Sequence, residues 1–571
     1  MKFGLSKYTL DLFFEKIIYK YADNPVLSEV GSEPFTYAEF GNRVKKLQLT
    51  LHDLGIRNGD KIIILGNSSP NWAIAFMSIM TMGVIAVPVL EGFPETDIDH
   101  IIRHSEANGI FISDNLHSSL NLTSLDDLKV IIKLDDFTLY TDETKEKNIW
   151  SKIIDFHDKV IHALEKEGAL FKNHEIKEDD IAEILYTSGT TGHSKGVMLT
   201  HKNLVSNLFE GPDLLKVIHD KSVILSILPM AHAFGSTSAF LSIIYCGAHV
   251  VYMDKKPSPK VLLETMQQVK PTIFGSVPLV FEKIYHKRVL PTISKSPLFR
   301  LLAKGKTSRK MLNKVIGKKI KKLFGGRLEC VIIGGASFSP EVETFLKQGQ
   351  IPYCCGYGLS ECSPLVTFSS MESQKMGSPG HAITDVIIKI VDADPQTGIG
   401  EICAKGPNVM KGYYKNEEAT KKAFTEDGWF ITGDRGYLDD DGFLFITGRS
   451  KNVIIGSSGE NIYPEVIEAK LLESTYVEEA LVYKSENNLV ARILPDYAFI
   501  ENLKDADNEN KIANSIKEIL EDVRKEVNKN LPSFSKIQKV IEQTSPFITT
   551  PTNKIKRSEY VPGYLVDGNR I

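Results

Sequence analysis

The chain has 571 residues, of which 42% are hydrophobic and 25% charged, and its formal net charge is −4. Usage this close to the globular average excludes a disordered tail, a collagen-like repeat and a coiled-coil rod. The length allows several domains with large cores. Basic and acidic residues nearly balance, at 68 and 72, so a polyanionic partner must be bound locally rather than by a general basic excess. Six cysteines without a C-x-x-C pair predict reduced thiols instead of a disulfide framework or a zinc site.

Residues 72–90 carry no charge, and this apolar run has the length of a membrane-spanning helix. Gly83 and Pro88 interrupt it, and its second half is rich in β-branched residues. This favours a buried helix, a glycine turn and a buried strand over a membrane span. Residues 238–253 repeat the pattern around Gly247. Charged residues interrupt the N-terminal apolar stretch, so no signal peptide is predicted.

Strand-like runs alternate with helical patterns over the first two thirds of the chain, which predicts an α/β fold with a mostly parallel sheet. From about residue 386, short β segments with Gly and Asp turns predict a small antiparallel unit. After Arg449 the pattern is mixed α+β, and residues 502–529 form a charged helical segment. The strand-like runs are 62–65, 110–112, 223–228, 249–252, 272–274 and 330–333.

Residues 304–327 contain ten Lys or Arg and no acidic residue. Apolar residues recur through this segment at helical spacing, from Met311 to Phe324, which predicts a basic amphipathic helix. One interpretation is a solvated surface helix whose apolar stripe faces the core. The other is contact with an anionic membrane surface, or with an anionic acyl carrier or cofactor.

The strongest local signal is ILYTSGTTGHSKGVMLT, residues 184–200. A predicted strand leads into a loop of Ser, Gly and Thr that ends in Lys195 and Gly196. Such a loop offers backbone N–H groups, hydroxyls and one cation to phosphate oxygens. The Walker spacing is absent, so this is another kind of phosphate loop.

Further blocks follow this loop, in an order that resembles the adenylate-forming (ANL) superfamily of acyl-CoA synthetases, luciferases and peptide-synthetase adenylation domains. The resemblance covers nearly the whole chain. It implies a large N-terminal AMP-binding domain over residues 1–449, with a β-rich, barrel-like subdomain over about 386–448, and a small mobile α+β domain over 450–571. The blocks are GGASFSP (334–340), GYGLSE (356–361), WFITGD (429–434), GRSKNVI (448–454), SGENIYPEVIE (458–468) and PTNKIKR (551–557).

The resemblance implies that a carboxylate attacks the α-phosphate of ATP, which gives an acyl-adenylate and pyrophosphate. Glu361 resembles the family's Mg²⁺ carboxylate, and a single carboxylate beside phosphates suits this ion. Ser360 stands where the family usually has Thr and keeps a hydroxyl for the α-phosphate. The implied ligands of the β- and γ-phosphates are Thr187, Ser188, Thr190, Thr191 and Lys195, and Gly189 and Gly192 belong to the same nucleotide-binding loop.

The same resemblance implies a nucleoside site. Tyr357 would stack on the adenine, with packing into the core as the alternative, and Asp434 would accept the ribose hydroxyls. Arg449 would donate to the ribose or the α-phosphate. The glycine-rich surroundings of the adenine would be Gly334, Gly335 and Ala336 on one side, and Gly356 and Gly358 beside the tyrosine.

Lys554 resembles the family's catalytic lysine, which contacts the reacting carboxylate and the α-phosphate during adenylation. Asn553 precedes it where the family usually has Gly, and Asn also tolerates a left-handed turn. The alternative is that Lys556 or Arg557 supplies this charge.

For the second half-reaction, the resemblance implies that the small domain rotates about a hinge at Lys451. The loop around Gly459 would then line the pantetheine tunnel, through which coenzyme A reaches the adenylate.

The stretch 228–240 lacks the acidic residue by which amino-acid adenylation domains hold a substrate ammonium, which favours an uncharged acyl chain. Its His232 resembles the family residue beside the substrate carboxylate, and a buried structural histidine is the alternative. The helix that follows this stretch, residues 271–285 and the GENIYPE motif (459–465) resemble long-chain fatty acyl-CoA synthetases. The predicted substrates and cofactors are a fatty acid, ATP, Mg²⁺ and coenzyme A, with no nucleic acid.

Two other functions stay open: loading of an acyl carrier protein, and non-catalytic binding of acyl groups or nucleotides. The latter is disfavoured by the intact set of Lys195, Glu361, Asp434 and Lys554. No carrier segment follows Ile571, which predicts a free-standing enzyme. The predicted location is the cytoplasm, with peripheral contact at the inner face of a membrane if the basic segment binds lipid.

Overall fold

The structure is a computed structural model. It describes residues 2–120, 122, 124–140, 175–187, 194–253, 258–335, 338–456, 460–486, 488–501, 509–550, 554–562, 565–566 and 569–570.

Two large sheets form the framework of the long N-terminal part. The first has nine strands and is parallel through its centre, with antiparallel pairs at both edges. In spatial order its strands are His381–Ala382, Leu365–Phe368, Tyr353–Gly358, Cys330–Gly334, Ile273–Ser276, Val223–Ser226, His249–Tyr252, Pro25–Glu29 and Phe35–Thr36.

The second sheet has seven strands. Five of them, from Ile181–Thr187 at one end of the group to Val130–Lys133 at the other, run parallel. An antiparallel hairpin and a short strand extend it at one edge. In spatial order the strands are Gly412–Tyr413, Lys195–Thr200, Ile181–Thr187, Ile85–Val89, Lys61–Leu65, Gly109–Ile112 and Val130–Lys133. The α/β class predicted from the alternating pattern is confirmed, and each strand-like run of the sequence corresponds to a strand within two residues.

Helices cover both sheets, and most begin at a proline or a hydroxyl cap, as helix starts favour. The α-helices of this part are Leu10–Lys20, Tyr37–Asp53, Pro70–Met80, Glu95–Ser105, Asp114–Ser119, His201–Leu208, Glu210–Leu215, Ser242–Tyr245, Pro259–Val269, Pro278–Ile284, Leu290–Lys295, Pro297–Lys304, Lys306–Leu323, Pro340–Gln348 and Glu417–Lys422. π-helices span Phe234–Leu241 and Tyr285–Val289, and short 3₁₀ turns span Lys2–Gly4, Leu125–Asp127, Ser360–Cys362 and Ser450–Asn452.

The apolar run 72–90 is a helix followed by a strand, as predicted. The helix Pro70–Met80 ends before Gly83, whose φ of +77° turns the chain into the strand Ile85–Val89. Gly247, also at φ +77°, does the same between Ser242–Tyr245 and the strand that follows. Within the described residues, no helix is both long and apolar enough to cross a bilayer.

The predicted small antiparallel unit is a four-stranded sheet of Ile387–Val391, Gly400–Lys405, Phe430–Leu438 and Leu444–Arg449. Every neighbouring pair in it is antiparallel.

The C-terminal part has its own apolar core, which includes Ile467, Leu471 and Leu520. It meets the large part at contacts such as the ion pair of Lys287 with Asp496, whose charged atoms lie 3.3 Å apart. Its strands are Ile454–Ile455, Asn461–Ile462, Val477–Ser485, Asn488–Pro495, Lys539–Glu542, Leu565–Val566 and Asn569–Arg570. Its helices are Pro464–Leu472, Tyr497–Glu501 and Glu509–Lys529, with 3₁₀ turns at Ser533–Ser535 and Arg557–Glu559.

Candidate active site

The predicted adenine shelf lies where two parallel strands of the nine-stranded sheet end. Gly334 and Gly356 are register partners at the carboxyl ends of these neighbouring strands. Gly335 follows at φ +90°, a conformation that favours glycine. A methyl group on Gly334 would lie 3.4 Å from the ring of Phe234, so the segment that holds the predicted carboxylate ligand borders the shelf. Ala336 lies outside the described residues.

Asp434 is buried and already held by two donors. The hydroxyl of Tyr357 donates to its Oδ2 at 2.7 Å, and Nε of Arg449 lies 2.9 Å from its Oδ1. Asp434 and Arg449 face each other on adjacent antiparallel strands, which explains their pairing. The ring of Tyr357 is half-buried against the core, and the neighbouring Gly358 admits no side chain because a Cβ would lie 1.9 Å from the carbonyl oxygen of Pro364.

Glu361, the predicted metal ligand, and Lys195, the predicted phosphate ligand, both contact Tyr413, a residue that the sequence analysis did not single out. The hydroxyl of Tyr413 donates to Oε1 of Glu361 at 2.9 Å. Nζ of Lys195 lies 5.6 Å from the centroid of the same ring. Ser360 begins the short 3₁₀ turn that carries Glu361. The only sequence signal for Tyr413 is a Gly–Tyr–Tyr triplet, and its place became apparent only through strand pairing.

The predicted phosphate loop connects two paired strands. Thr187 and Lys195 are register partners at the open end of this hairpin. The loop between them, together with one glycine of the predicted pantetheine tunnel, lies outside the described residues: Ser188, Gly189, Thr190, Thr191, Gly192 and Gly459.

Lys554 reaches this site from the C-terminal part. Its carbonyl accepts a hydrogen bond from the N–H of Thr550 at 2.7 Å, and its N–H donates to the hydroxyl of Thr550 at 3.2 Å. Lys554 keeps an exposed surface, although many protein atoms surround its ammonium. Burial and the charge of Arg449 lower the pKa of Lys554, while Asp434 and Glu361 oppose that shift. The lysine therefore lies within electrostatic reach of the predicted ribose and metal carboxylates.

Arg557, an alternative source of the catalytic charge, is engaged elsewhere. Its guanidinium donates to both carboxylate oxygens of Glu468, at 2.7 and 2.6 Å, and to the carbonyl of Val482 at 3.0 Å. These bonds hold it within the C-terminal part. The geometry supports Lys554 over Arg557 in the catalytic role.

His232 is neutral in this environment. Burial, and then the charge of Lys554, lower its pKa to about 4. The backbone N–H of Phe234 donates to its Nδ1 at 3.3 Å. Because Nδ1 is the acceptor, the imidazole proton lies on Nε2, which can donate to a carboxylate.

The predicted hinge residue Lys451 is exposed in the 3₁₀ turn Ser450–Asn452. The hydroxyl of Ser450 donates to Glu401 in the antiparallel sheet, and the amide of Asn452 donates to Glu465 at 2.6 Å in the first helix beyond the turn. The turn is thus bonded to both sides of the expected pivot.

The donors suit ATP with Mg²⁺. Within the described part of the chain, no three His, Cys, Asp or Glu side chains form a metal cluster. Mg²⁺ usually keeps few protein ligands and binds through substrate phosphates, so the single carboxylate of Glu361 fits it. Lys195, Arg449 and Lys554 are the cations that a polyphosphate and a carboxylate would need.

Comparison with known proteins agrees with this geometry. The AMP-binding enzyme family model matches residues 14–414, and the model for the C-terminal domain of AMP-binding enzymes matches residues 451–565. Long chain acyl-CoA synthetase 3 of Arabidopsis thaliana is 30% identical over 93% of this chain and 85% of its own length. Fatty acyl-CoA synthetase B of Dictyostelium discoideum is 30% identical over 92% of this chain and 83% of its own.

The fold is also found in solved structures. The adenylation domain of a carboxylate reductase from Mycobacterium chelonae superposes with a TM-score of 0.77 at 22% identity, over 98% of this chain and 90% of that one. The extent of the family match shows that this chain belongs to the AMP-binding enzyme family of adenylate-forming enzymes.

Proposed function

We propose that this chain is an AMP-forming long-chain fatty-acid–CoA ligase. It converts a fatty acid, ATP and coenzyme A to acyl-CoA, AMP and pyrophosphate. The observation that carries the proposal is the set of contacts that joins the motif residues: Tyr357 donates to Asp434 at 2.7 Å, Arg449 pairs with Asp434 at 2.9 Å, and Tyr413 donates to Glu361 at 2.9 Å. The names of the relatives, long-chain and fatty acyl-CoA synthetases, support this substrate class.

In the first half-reaction, an oxygen of the fatty carboxylate attacks the α-phosphorus of ATP. The bond from that phosphorus to the β-phosphate oxygen breaks, and pyrophosphate leaves with its electron pair. The two reactants are anions, and Lys554 with Arg449 would stabilise the charge that accumulates between them. Nε2–H of His232 would orient the carboxylate by donating to it.

The nucleotide would be oriented by groups of the large part. Asp434, held by Tyr357 and Arg449, would accept the ribose hydroxyls. Gly334 and Gly335 would leave space for the adenine, and Lys195 would bind the outer phosphates with the loop that precedes it. Glu361 would hold the Mg²⁺ ion, which neutralises phosphate charge when it is bound.

In the second half-reaction, the thiolate of coenzyme A attacks the acyl carbon and AMP leaves. We propose domains at 1–449 and 450–571 that rotate about Lys451, so that the loop of Gly459 replaces Lys554 at the site. The hydrogen bonds of Ser450 and Asn452, on either side of Lys451, support a pivot at this turn.

The proposal is tested by acid-dependent pyrophosphate release over a series of straight-chain acids, with coenzyme A or an acyl carrier protein as acceptor. We expect kcat/KM to rise with chain length, because each buried methylene contributes about 0.8 kcal/mol, or roughly fourfold. The expected product is acyl-CoA. Thioester formation on the carrier protein alone would instead indicate an acyl-carrier-protein synthetase, and no pyrophosphate with any acid would leave only the binding function.

We further propose that the basic segment binds an anionic lipid surface, which would place a cytoplasmic enzyme at the inner face of a membrane. The segment forms the helix Lys306–Leu323, which packs beside Pro297–Lys304; we call this pair the basic hairpin. Its apolar residues form two rows rather than the single stripe expected. Leu312, Ile316, Ile320 and Phe324 are buried in the core, whereas Leu298, Leu301, Met311 and Val315 are 53–67% exposed.

The exposed apolar row favours binding to lipid over the interpretation that the helix is simply exposed to solvent. A surface helix needs one apolar stripe for its own core, and the buried row already provides it. Exposed apolar residues among lysines match a bilayer interface, where each cation adds about 1 kcal/mol near anionic headgroups and the apolar groups insert.

Vesicle co-sedimentation tests the lipid proposal. The protein should bind phosphatidylglycerol vesicles, but not phosphatidylcholine vesicles, and 0.5 M NaCl should weaken binding. Leu301→Ser with Val315→Ser should reduce binding, while the matched control Ile387→Ser, at a site that is 61% exposed on the antiparallel sheet, should not. Retention on an acidic carrier protein with no vesicle binding would contradict the lipid proposal.

A further inference from the structure

Tyr413 bridges two site residues of opposite charge. Its hydroxyl donates to Oε1 of Glu361 at 2.9 Å, and its ring lies below the ammonium of Lys195, 5.6 Å from centroid to Nζ. One side chain thus contacts both the predicted metal carboxylate and the predicted phosphate cation. The side chain is half-buried, with its polar end turned to the site.

The backbone around Tyr413 is fastened to the elements that carry both partners. Its strand pairs with the strand that begins at Lys195, and Tyr413 is the register partner of Val197. The N–H of the next residue, Tyr414, donates to the carbonyl of Gly196 at 2.7 Å. On the other side, the N–H of Met410 donates to the backbone carbonyl of Glu361 at 2.8 Å.

A third bond holds the backbone of Tyr413 itself. The N–H of Tyr413 donates to the hydroxyl of Thr420 at 2.9 Å, in the helix that follows. The phenol therefore projects from a backbone that is held on three sides. A rigid donor of this kind can select one orientation of a flexible carboxylate, and an aromatic face can select one position of a lysine.

We propose that Tyr413 is a positioning residue that aligns Glu361 and Lys195 for Mg²⁺-bound ATP. The hydroxyl orients the carboxylate of Glu361 by a hydrogen bond, and the ring positions the ammonium of Lys195. This inference rests on the proposed function, because it requires Glu361 to serve Mg²⁺ and Lys195 to serve phosphate.

Two variants separate the contribution of the Tyr413 hydroxyl from that of its ring. Tyr413→Phe removes only the hydroxyl, and Tyr413→Leu removes the ring as well. The matched control is Tyr414→Phe, whose hydroxyl bonds to Glu106 at 3.3 Å, away from the two charged residues. The readout is calorimetric binding of ATP with and without Mg²⁺, in the absence of fatty acid, so that no turnover is needed.

In the wild-type protein, Mg²⁺ should tighten ATP binding. Tyr413→Phe should reduce that gain about tenfold, as expected for one hydrogen bond to a charged group, and leave metal-free binding within twofold. Tyr413→Leu should in addition weaken metal-free ATP binding. In turnover assays Tyr413→Phe should raise the Mg²⁺ concentration for half-maximal rate, with kcat little changed at saturating Mg²⁺.

The outcomes distinguish this inference from the proposed function. If the wild-type protein binds no ATP, the proposed function fails. If it binds Mg²⁺ and ATP normally but Tyr413→Phe keeps the full Mg²⁺ effect, only the positioning role is wrong. An equal loss of metal-free and Mg²⁺-supported binding in Tyr413→Phe, with a lower melting temperature, would show a purely structural residue and also overturn the inference.

Discussion

Lys554 is the motif cation that interacts electrostatically with Asp434, Glu361 and Arg449. Lys556 lies two positions further along, and its backbone N–H donates to the carbonyl of Ile548 at 2.9 Å. A cation at the point where two anions meet contributes to the transition state more than one a few ångströms away.

We therefore expect Lys554→Ala to lower the adenylation rate by about 100- to 1,000-fold. Thioester formation from supplied acyl-adenylate should persist, because the lysine acts only in the first half-reaction. The measurements are acid-dependent pyrophosphate release and single-turnover thioester formation. Lys556→Ala is the matched control and should stay within threefold of the wild type. A Lys554→Ala protein that keeps both rates would show that the lysine is assigned wrongly.

At the scale of elements, the helix Lys306–Leu323 approaches another backbone closely at Gly317. A Cβ at Gly317 would lie 2.2 Å from the carbonyl oxygen of Gly349, which follows the helix Pro340–Gln348. One turn earlier, the amide of Asn313 donates to Gln348 at 2.8 Å. The glycine thus allows these two helices to pack at this point.

Gly317→Ala should destabilise the protein by about 1–3 kcal/mol, because the backbone must move and this outweighs the gain in helix propensity. The measurement is urea unfolding of the full chain. Lys318→Ala, at an exposed site next to Gly317 in the same helix, is the control. It should change the free energy of unfolding by less than about 0.5 kcal/mol. Equal effects of the two substitutions would contradict the packing argument.

At the scale of the whole molecule, buried titratable groups link stability to pH in opposite directions. His201 is fully buried, and its Nδ1 accepts a hydrogen bond from the N–H of Leu10 at 3.2 Å. Burial lowers the pKa of His201 to about 4. Glu183 is fully buried in the strand before the phosphate loop, and burial raises its pKa to about 8.

His201→Asn tests the acid side, because the side-chain oxygen of Asn can accept the same bond without titrating. Between pH 6.5 and 4 the unfolded wild type binds a proton at this histidine that the folded state does not. The wild type should therefore lose stability relative to His201→Asn as pH falls, by about 1.4 kcal/mol per pH unit. The measurement is urea unfolding of both proteins at several pH values. A constant difference would show that His201 does not titrate in this way.

Glu183→Gln tests the alkaline side. Between pH 4.5 and 8 the folded state keeps the proton of Glu183 that the unfolded state releases, so wild-type stability falls as pH rises. The free energy of unfolding of Glu183→Gln, relative to that of the wild type, should therefore increase by about 1.4 kcal/mol per pH unit across this window. Parallel pH profiles of the two proteins would contradict the assignment of a protonated Glu183.

The sequence by itself determined the fold class and most of the elements. Alternation of apolar runs with helical periods predicted an α/β fold with a mostly parallel sheet, because strand and helix periods differ and are local properties. The division of the strands between two large sheets came from the structure. Gly83 and Gly247 marked turns because only glycine readily takes positive φ. Ordered motifs then identified the family, and with it the residues that could contact nucleotide, metal and acyl group.

Only the tertiary structure decided which of these residues meet. Asp434 pairs with Arg449 through strand register, and Tyr413 joins Lys195 and Glu361 through a strand added at the sheet edge. The two apolar rows of the basic hairpin also became separable only when one of them packed into the core. Such contacts join residues that are distant in the chain, so no local period encodes them, and their hydrogen bonds depend on the packing of whole elements.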